Sequence, residues 1–132
     1  MVTDIAAAVT YNTEKEKFLA LKRAEERDVN PGKWDFPSGK IERNEKPREA
    51  ALRELEEETK LKGEIIRKGK SFTAKTEDGN FRVHPFLTKV EDKRPETSRE
   101  HSQYKWVKPE DLEKLETVKG LQKDLQNVGI DV

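Results

Sequence analysis

Residues 39–61 read GKIERNEKPREAALRELEEETKL. From Glu45 to Leu61 the stretch consists of good helix formers with no internal glycine, and Pro47 falls in the first turn, where its missing N–H is harmless. The spacing therefore predicts a helix, with Asn44 as its N-cap. At ~100° per residue, Ala51, Leu52, Leu55 and Thr59 form one stripe, and Glu54, Glu57 and Glu58 share a neighbouring arc. One stripe packs; the other gathers carboxylates. Like charges one turn apart destabilise a helix mildly, so a positive partner is expected, and a hard divalent cation with oxygen ligands suits that spacing. Taken alone, such a cluster is also what a solvated acidic face looks like. The surrounding sequence has to decide.

Working outward, Asp4–Thr10 and Lys17–Lys22 carry apolar residues on either side of Tyr11–Thr13 and read as a β-hairpin with its turn there. Residues 24–33 are charged and end in Asn30-Pro31-Gly32, after which Trp34–Gly39 is an irregular loop feeding a site. Downstream, Gly63–Thr76 and Phe81–Val90 are β-type runs joined through Glu77–Asn80, a second hairpin. Glu91–Ser102 is a loop, Tyr104–Val107 a short strand, Pro109–Leu112 opens a helix, and Val118–Val128 forms a last one. Strand pairs around one strong helix indicate the α+β class, and the length predicts a single domain over 1–132.

The 27 basic and 27 acidic residues cancel, so disorder driven by net charge is excluded although 41% of the 132 residues are charged. No clustered Lys and Arg suggest a nucleic-acid polymer as partner. The absence of cysteine removes disulfides, thiolate nucleophiles and Cys-ligated zinc, leaving metal chemistry to oxygen or His. The apolar run Ile5–Val9 follows Asp4 and is too short for a signal peptide or a membrane span. A soluble cytoplasmic protein is the expectation, with monomer or homodimer left open.

The span Gly39–Leu61 resembles the Nudix box, G-x5-E-x7-R-E-U-x-E-E-x-G-U with U aliphatic. Gly39, Glu45, Arg53, Glu54, Leu55, Glu57, Glu58 and Leu61 stand where that pattern wants them. Lys60 replaces its last glycine, for which Gly63 is the expected substitute cap, and Ser38 stands where Gly-Gly is commoner. The resemblance implies an α/β/α sandwich around a mixed sheet, with the acidic helix packed beside it. It implies hydrolysis of a phosphoanhydride bond in a nucleoside diphosphate derivative, of the MutT-like kind. It also implies that Glu54, Glu57, Glu58 and the Gly39 carbonyl hold Mg²⁺ or Mn²⁺, with Glu100 as a further ligand, and that Arg53 pairs with Glu45 to orient the carboxylates. Glu54 and Glu100 are alternative bases for the attacking water.

Trp34, Phe36 and Phe72 are aromatic faces that either stack on a nucleobase or fill the core. His101 orients its neighbour or is incidental, and His84 is explained by its place on a strand. Downstream of the box, Glu77, Asp78 and Gly79 occupy the positions where family groups carry their markers. By elimination these leave a nucleoside triphosphate as the leading substrate. ADP-ribose, a nucleotide sugar and a non-catalytic nucleotide-binding module stay open.

Overall fold

An uninterrupted apolar run such as Ile5–Val9 marks a strand buried on both faces. In the computed structural model, which describes residues 1–130, it lies at the centre of the sheet. Strand β1 (Val2–Asn12) runs parallel to β7 (Gly79–Val90) along its whole length, from Val2↔Asn80 to Asn12↔Val90. On its other side β1 meets β2 (Lys17–Arg23) only at Tyr11↔Phe18 and Asn12↔Lys17, and then the two strands part. Into that gap come β3 (Trp34–Asp35), paired with β2, and β4 (Ser38–Lys40), paired with β1. The stretch from Trp34 to Lys40 is thus a wedge stitched to both sides.

Beyond α1 (Pro47–Thr59), β5 (Glu64–Lys68) and β6 (Phe72–Thr76) pair with successive halves of β7, and β8 (His101–Val107) pairs with β2. One parallel pair among antiparallel ones makes the sheet mixed. Its two faces carry separate cores. Ala6, Ala8, Leu19, Leu21 and Phe86 pack under Ala50, Ala51 and Leu55 of α1, small residues meeting small residues so that the helix approaches closely. On the opposite face Val9, Phe18, Trp34, Phe36 and Leu87 pack against Leu112 of a 3₁₀ helix (Pro109–Lys114) and against Leu121 and Leu125 of α2 (Leu121–Asn127). The architecture is the expected α/β/α sandwich of the α+β class.

Local chemistry moves several boundaries. The first turn lies at 13–16 rather than Tyr11–Thr13, because the Asn12 Oδ1 accepts the N–H groups of Glu14 and Lys15 (both 3.0 Å), so the chain turns only after that residue. The run Gly63–Thr76 splits in two at Gly69, which passes so tightly that a Cβ there would lie 2.7 Å from Val128 and 2.8 Å from the Asn127 carbonyl. The N-cap of α1 is Lys46, not Asn44: Pro47 holds the first helical position, the Lys46 N–H donates to the Glu49 carboxylate at 2.8 Å, and Asn44 is a turn residue with φ 67°. The segment at Pro109 is a 3₁₀ helix, and α2 begins only at Leu121, after Gly120 (φ 92°).

At its other end α1 stops on Lys60 itself, at φ 65° and ψ 8°, with its N–H bonded to the Glu56 carbonyl at 2.8 Å. Gly63 does not take over the left-handed cap. It is instead a point of close approach, where a Cβ would meet Thr88 at 2.5 Å and Leu55 at 2.7 Å. A side chain in the left-handed region costs roughly 1 kcal/mol. Lys60→Gly is therefore expected to raise the melting temperature by a few degrees; a thermal melt in which the variant unfolds at or below the wild-type temperature would refute this reading of the cap.

Candidate active site

The acidic arc of α1 is organised by one guanidinium. Arg53 donates from Nε and Nη2 to the two oxygens of Glu45 (2.7 and 3.0 Å), a fork only a planar cation can make. Its Nη2 also reaches the Lys40 carbonyl (3.1 Å), and Nη1 donates to Glu54 (2.9 Å) and Glu57 (3.2 Å). The pairing with Glu45 and the link to the arc's carboxylates are those expected from the sequence; the structure adds the bond to β4 through the Lys40 carbonyl. These bonds, the one to Glu45 foremost, raise the Arg53 pKa and lower that of Glu45.

Glu58 faces the other way. It is 3% exposed, its Oε2 accepts the Ser38 N–H at 3.2 Å, and its Oε1 stands 3.5 Å from His101 Nε2. Burial first, then the adjacent Glu54 carboxyl, pushes its pKa well above the ordinary carboxylate range. Glu54 is likewise shifted up by burial, against the opposing pull of Glu58 and Arg53. It rests flush on the β4 backbone: a Cβ on Gly39 would lie 2.2 Å from its carboxyl carbon. Glycine at this position leaves the room in which the Glu54 carboxyl lies on the strand.

The donor set fits a hard divalent cation in kind. Glu54 adjoins the Gly39 backbone and Glu58 the Ser38 N–H, Glu57 stands on the same arc of α1, and the half-buried Glu54 and buried Glu58 lack the full counter-charge that would keep both ionised. As the side chains stand, no group of three or more metal-binding side chains converges among the described residues, because Glu57 and Glu54 are turned onto Arg53.

The remaining residues singled out by sequence divide. Glu100 lines the same cleft, but its exposed carboxylate pairs with Arg27 at 3.1 Å. Its charge is still felt at Glu58. Trp34 and Phe36 are corrected: both are buried in the core under α2, Phe36 completely, and neither offers a face for stacking. Phe72 is half-buried and does line the cleft. His101 is buried, with burial lowering its pKa to about 4, so its imidazole beside Glu58 is neutral. His84 bridges Ser71 (2.8 Å) and Asp4 (2.9 Å) on the sheet.

Sequence reasoning missed Arg23, Asp35 and Asp124. Asp35 is buried, its pKa raised by burial, and it stands 3.5 Å from Arg23 and 3.2 Å from the Ser38 hydroxyl. The one available signal was an acid between two core aromatics, Trp34 and Phe36. Arg23 and Asp124 carried none. The cleft joining these groups measures about 690 Å³ and runs from Glu54 and Glu57 across β4 to the face of the sheet beneath α2.

Residues 1–126 match the family model described as the NUDIX domain. The chain is 38% identical over 82 residues to the m7GpppN-mRNA hydrolase dcap-2 of Caenorhabditis elegans, covering 60% of this chain and 10% of that protein. It is 43% identical over 54 residues to the 8-oxo-dGTP diphosphatase of Proteus vulgaris, covering 41% and 46%. It thus spans less than half the length of these relatives. The crystal structure of the MutT protein from Methanosarcina mazei Go1 superposes with a TM-score of 0.80 at 25% identity, over 96% of this chain and 92% of that one.

A buried carboxyl whose folded-state pKa is raised holds its proton after the unfolded chain, at ~4.3, has released it. Stability is then greatest below that value and declines as the pH rises toward the folded pKa. With a chelator present, the melting temperature of this protein is expected to fall between pH 6.5 and pH 8, above the range in which the buried His101 acts in the opposite sense, and Glu58→Gln is expected to flatten part of that slope and to melt higher at pH 8. A variant that is less stable than wild type at pH 8 would show that Glu58 is well paired rather than frustrated.

Proposed function

The chain belongs to the NUDIX domain family, and on that premise we propose that it hydrolyses a phosphoanhydride bond in a nucleoside diphosphate derivative, with a nucleoside triphosphate as the leading substrate. The observation that carries this reading is Glu54, half-buried on the Gly39 backbone beside the buried Glu58 and lining one end of a nucleotide-sized cleft. Proteins similar in this region are named for acting on 8-oxo-dGTP and on m7GpppN-mRNA, both of which contain phosphoanhydrides.

Glu54, Glu57 and Glu58 would hold Mg²⁺ or Mn²⁺, with the Gly39 carbonyl completing the set. When bound, such an ion neutralises diphosphate oxygens and acidifies the attacking water. Arg53 keeps α1 in register with β4 through Lys40 and Glu45, so the carboxylates stay where β4 presents its backbone. Of the two candidate bases, Glu54 is half-buried against Gly39 with a raised pKa, whereas Glu100 is exposed and tied to Arg27. Glu54 is the better placed of the two to accept the proton, since it lies in the cleft beside the carboxylates that would hold the ion.

Incubation with a panel of nucleoside triphosphates, ADP-ribose and nucleotide sugars, with and without Mg²⁺ or Mn²⁺, is expected to yield metal-dependent release of nucleoside monophosphate. Glu57 is largely exposed, so Glu57→Gln should leave the fold intact while removing turnover. Arg53→Lys cannot form the fork to Glu45 and should cost roughly 10- to 100-fold in rate. No turnover on any member of the panel would instead favour a non-catalytic nucleotide-binding module.

A further inference from the structure

Outside the cleft, three side chains form a continuous chain of hydrogen bonds. The Ser71 hydroxyl lies 2.8 Å from His84 Nδ1, and His84 Nε2 lies 2.9 Å from Asp4 Oδ1. None of the three lines the cleft. Side chains along β1 and β7 alternate between faces, so Ile5 and Val83 look into the cleft while Asp4 and His84 stand on the face that α1 covers, with Ala6 and Phe86. A place on a strand explains why the His84 side chain is only 16% exposed. It does not explain why both ring nitrogens are engaged.

Three stretches of chain bring these groups together. The parallel register of β1 and β7 sets Asp4 against Arg82 and Ala6 against His84, so the acid and the imidazole come from neighbouring strands. Ser71 sits between β5 and β6 on a backbone fixed before and after it. The Gly69 N–H donates to the Pro85 carbonyl (2.8 Å) and the Lys70 N–H to the Asn127 carbonyl (3.1 Å), while Asn127 Nδ2 donates back to the Lys70 carbonyl (2.7 Å). On the other side Phe72 pairs with Val83. The order of donors follows from the acid. At neutral pH a carboxylate only accepts, so Asp4 holds the Nε2 proton on a neutral imidazole, and Nδ1 then accepts from the Ser71 hydroxyl. Acid, imidazole and hydroxyl in that order are the arrangement that activates a serine nucleophile.

We propose that Ser71 is a nucleophile for acyl transfer, with His84 as its base and Asp4 as the residue that orients the ring. The substrate class is a carboxylic ester that reaches the exposed serine from solvent. The Ser71 Oγ forms a bond to the carbonyl carbon while its proton passes to His84 Nδ1. The alkoxide leaves with the electron pair of the broken C–O bond and takes up that proton. Water, deprotonated in turn by His84, then attacks the acyl-serine, releasing the carboxylic acid and restoring the hydroxyl. This activity draws on neither the acidic helix nor a metal ion, so it stands or falls apart from the nucleotide reading.

Treatment of the full chain with a fluorophosphonate, which activated serines capture with loss of fluoride, is expected to leave one adduct, located on Ser71 by peptide mass spectrometry. The untreated protein is expected to hydrolyse p-nitrophenyl acetate, and Ser71→Ala should remove both adduct and hydrolysis. His84→Gln should slow labelling at least about 100-fold, the share a positioned general base supplies. Asp4 is half-exposed, so Asp4→Asn leaves the core untouched; an amide can also donate to Nε2 and favour the wrong tautomer, which should slow labelling at least about tenfold. A thermal melt of each variant separates loss of the base from loss of the fold. No adduct on Ser71, or labelling of Ser71 as fast in folded His84→Gln and Asp4→Asn as in the wild type, would overturn the proposal. Labelling that depends on His84 without hydrolysis of p-nitrophenyl acetate would overturn the ester as substrate class.

Discussion

The contact of the Glu54 carboxyl of α1 with the Gly39 backbone of β4 governs the site. Gly39 has no side chain, so the Glu54 carboxyl lies directly on its backbone, and one residue away the Ser38 N–H donates to Glu58. One acid is thereby buried and a half-buried one is held beside it. Burying carboxylates without counter-charge is expensive, and proteins ordinarily avoid it or respond with protonation. Arg53 answers only part of the deficit, because its fork is committed to Glu45 and its remaining donors reach Glu54 and Glu57 rather than Glu58. The fold thus keeps an electrostatic strain at one spot, the pattern expected where a ligand later supplies the missing charge.

That contact depends in turn on how the sheet divides. Had β1 and β2 stayed paired beyond Tyr11↔Phe18, there would be no opening for the Trp34–Lys40 segment. Because they part, the segment can pair with β2 through β3 and with β1 through β4, carrying Asp35 and Gly39 to the same opening. The buried aromatics of this segment, Trp34 and Phe36, anchor it in the core under α2, while its backbone supports α1 on the opposite face. One short wedge therefore couples both helical layers to the cleft.

The acidic helix was legible because it rests on a periodic pattern, whereas the role of its arginine and the layered fold were legible through the resemblance of Gly39–Leu61 to the Nudix box. Glu54, Glu57 and Glu58 lie on consecutive turns, and the core stripe of α1 follows the same arithmetic. The boundaries that moved did so for tertiary reasons: Gly69 breaks a strand run because Val128 crowds it, and Lys46 caps because Pro47 fixes the first turn. Trp34 and Phe36 were ambiguous because an aromatic residue beside a site motif serves equally well as core or as ligand surface, and burial, which decides between them, is a property of the whole fold. Glu58 was legible as a charge but not as a buried one. Asp124 was invisible, being one acid in a chain with 27 acidic residues, distinguished only by where α2 docks.

The net charge of zero hides a separation that matters for an anionic substrate. Carboxylates of α1 form one wall of the cleft, while Arg23, Arg27 and Lys119 lie along it toward α2. A phosphate chain entering on its own is attracted by the second wall and repelled by the first. The second wall is also partly spent, since Arg23 faces Asp35 at 3.5 Å, Arg27 faces Glu100 at 3.1 Å, and burial lowers the Arg23 pKa. Neither wall alone offers a strong phosphate site. On the proposed reading, tight engagement arises only when the negative charge of the substrate and a positive charge bridging it to Glu54, Glu57 and Glu58 arrive in the same cleft.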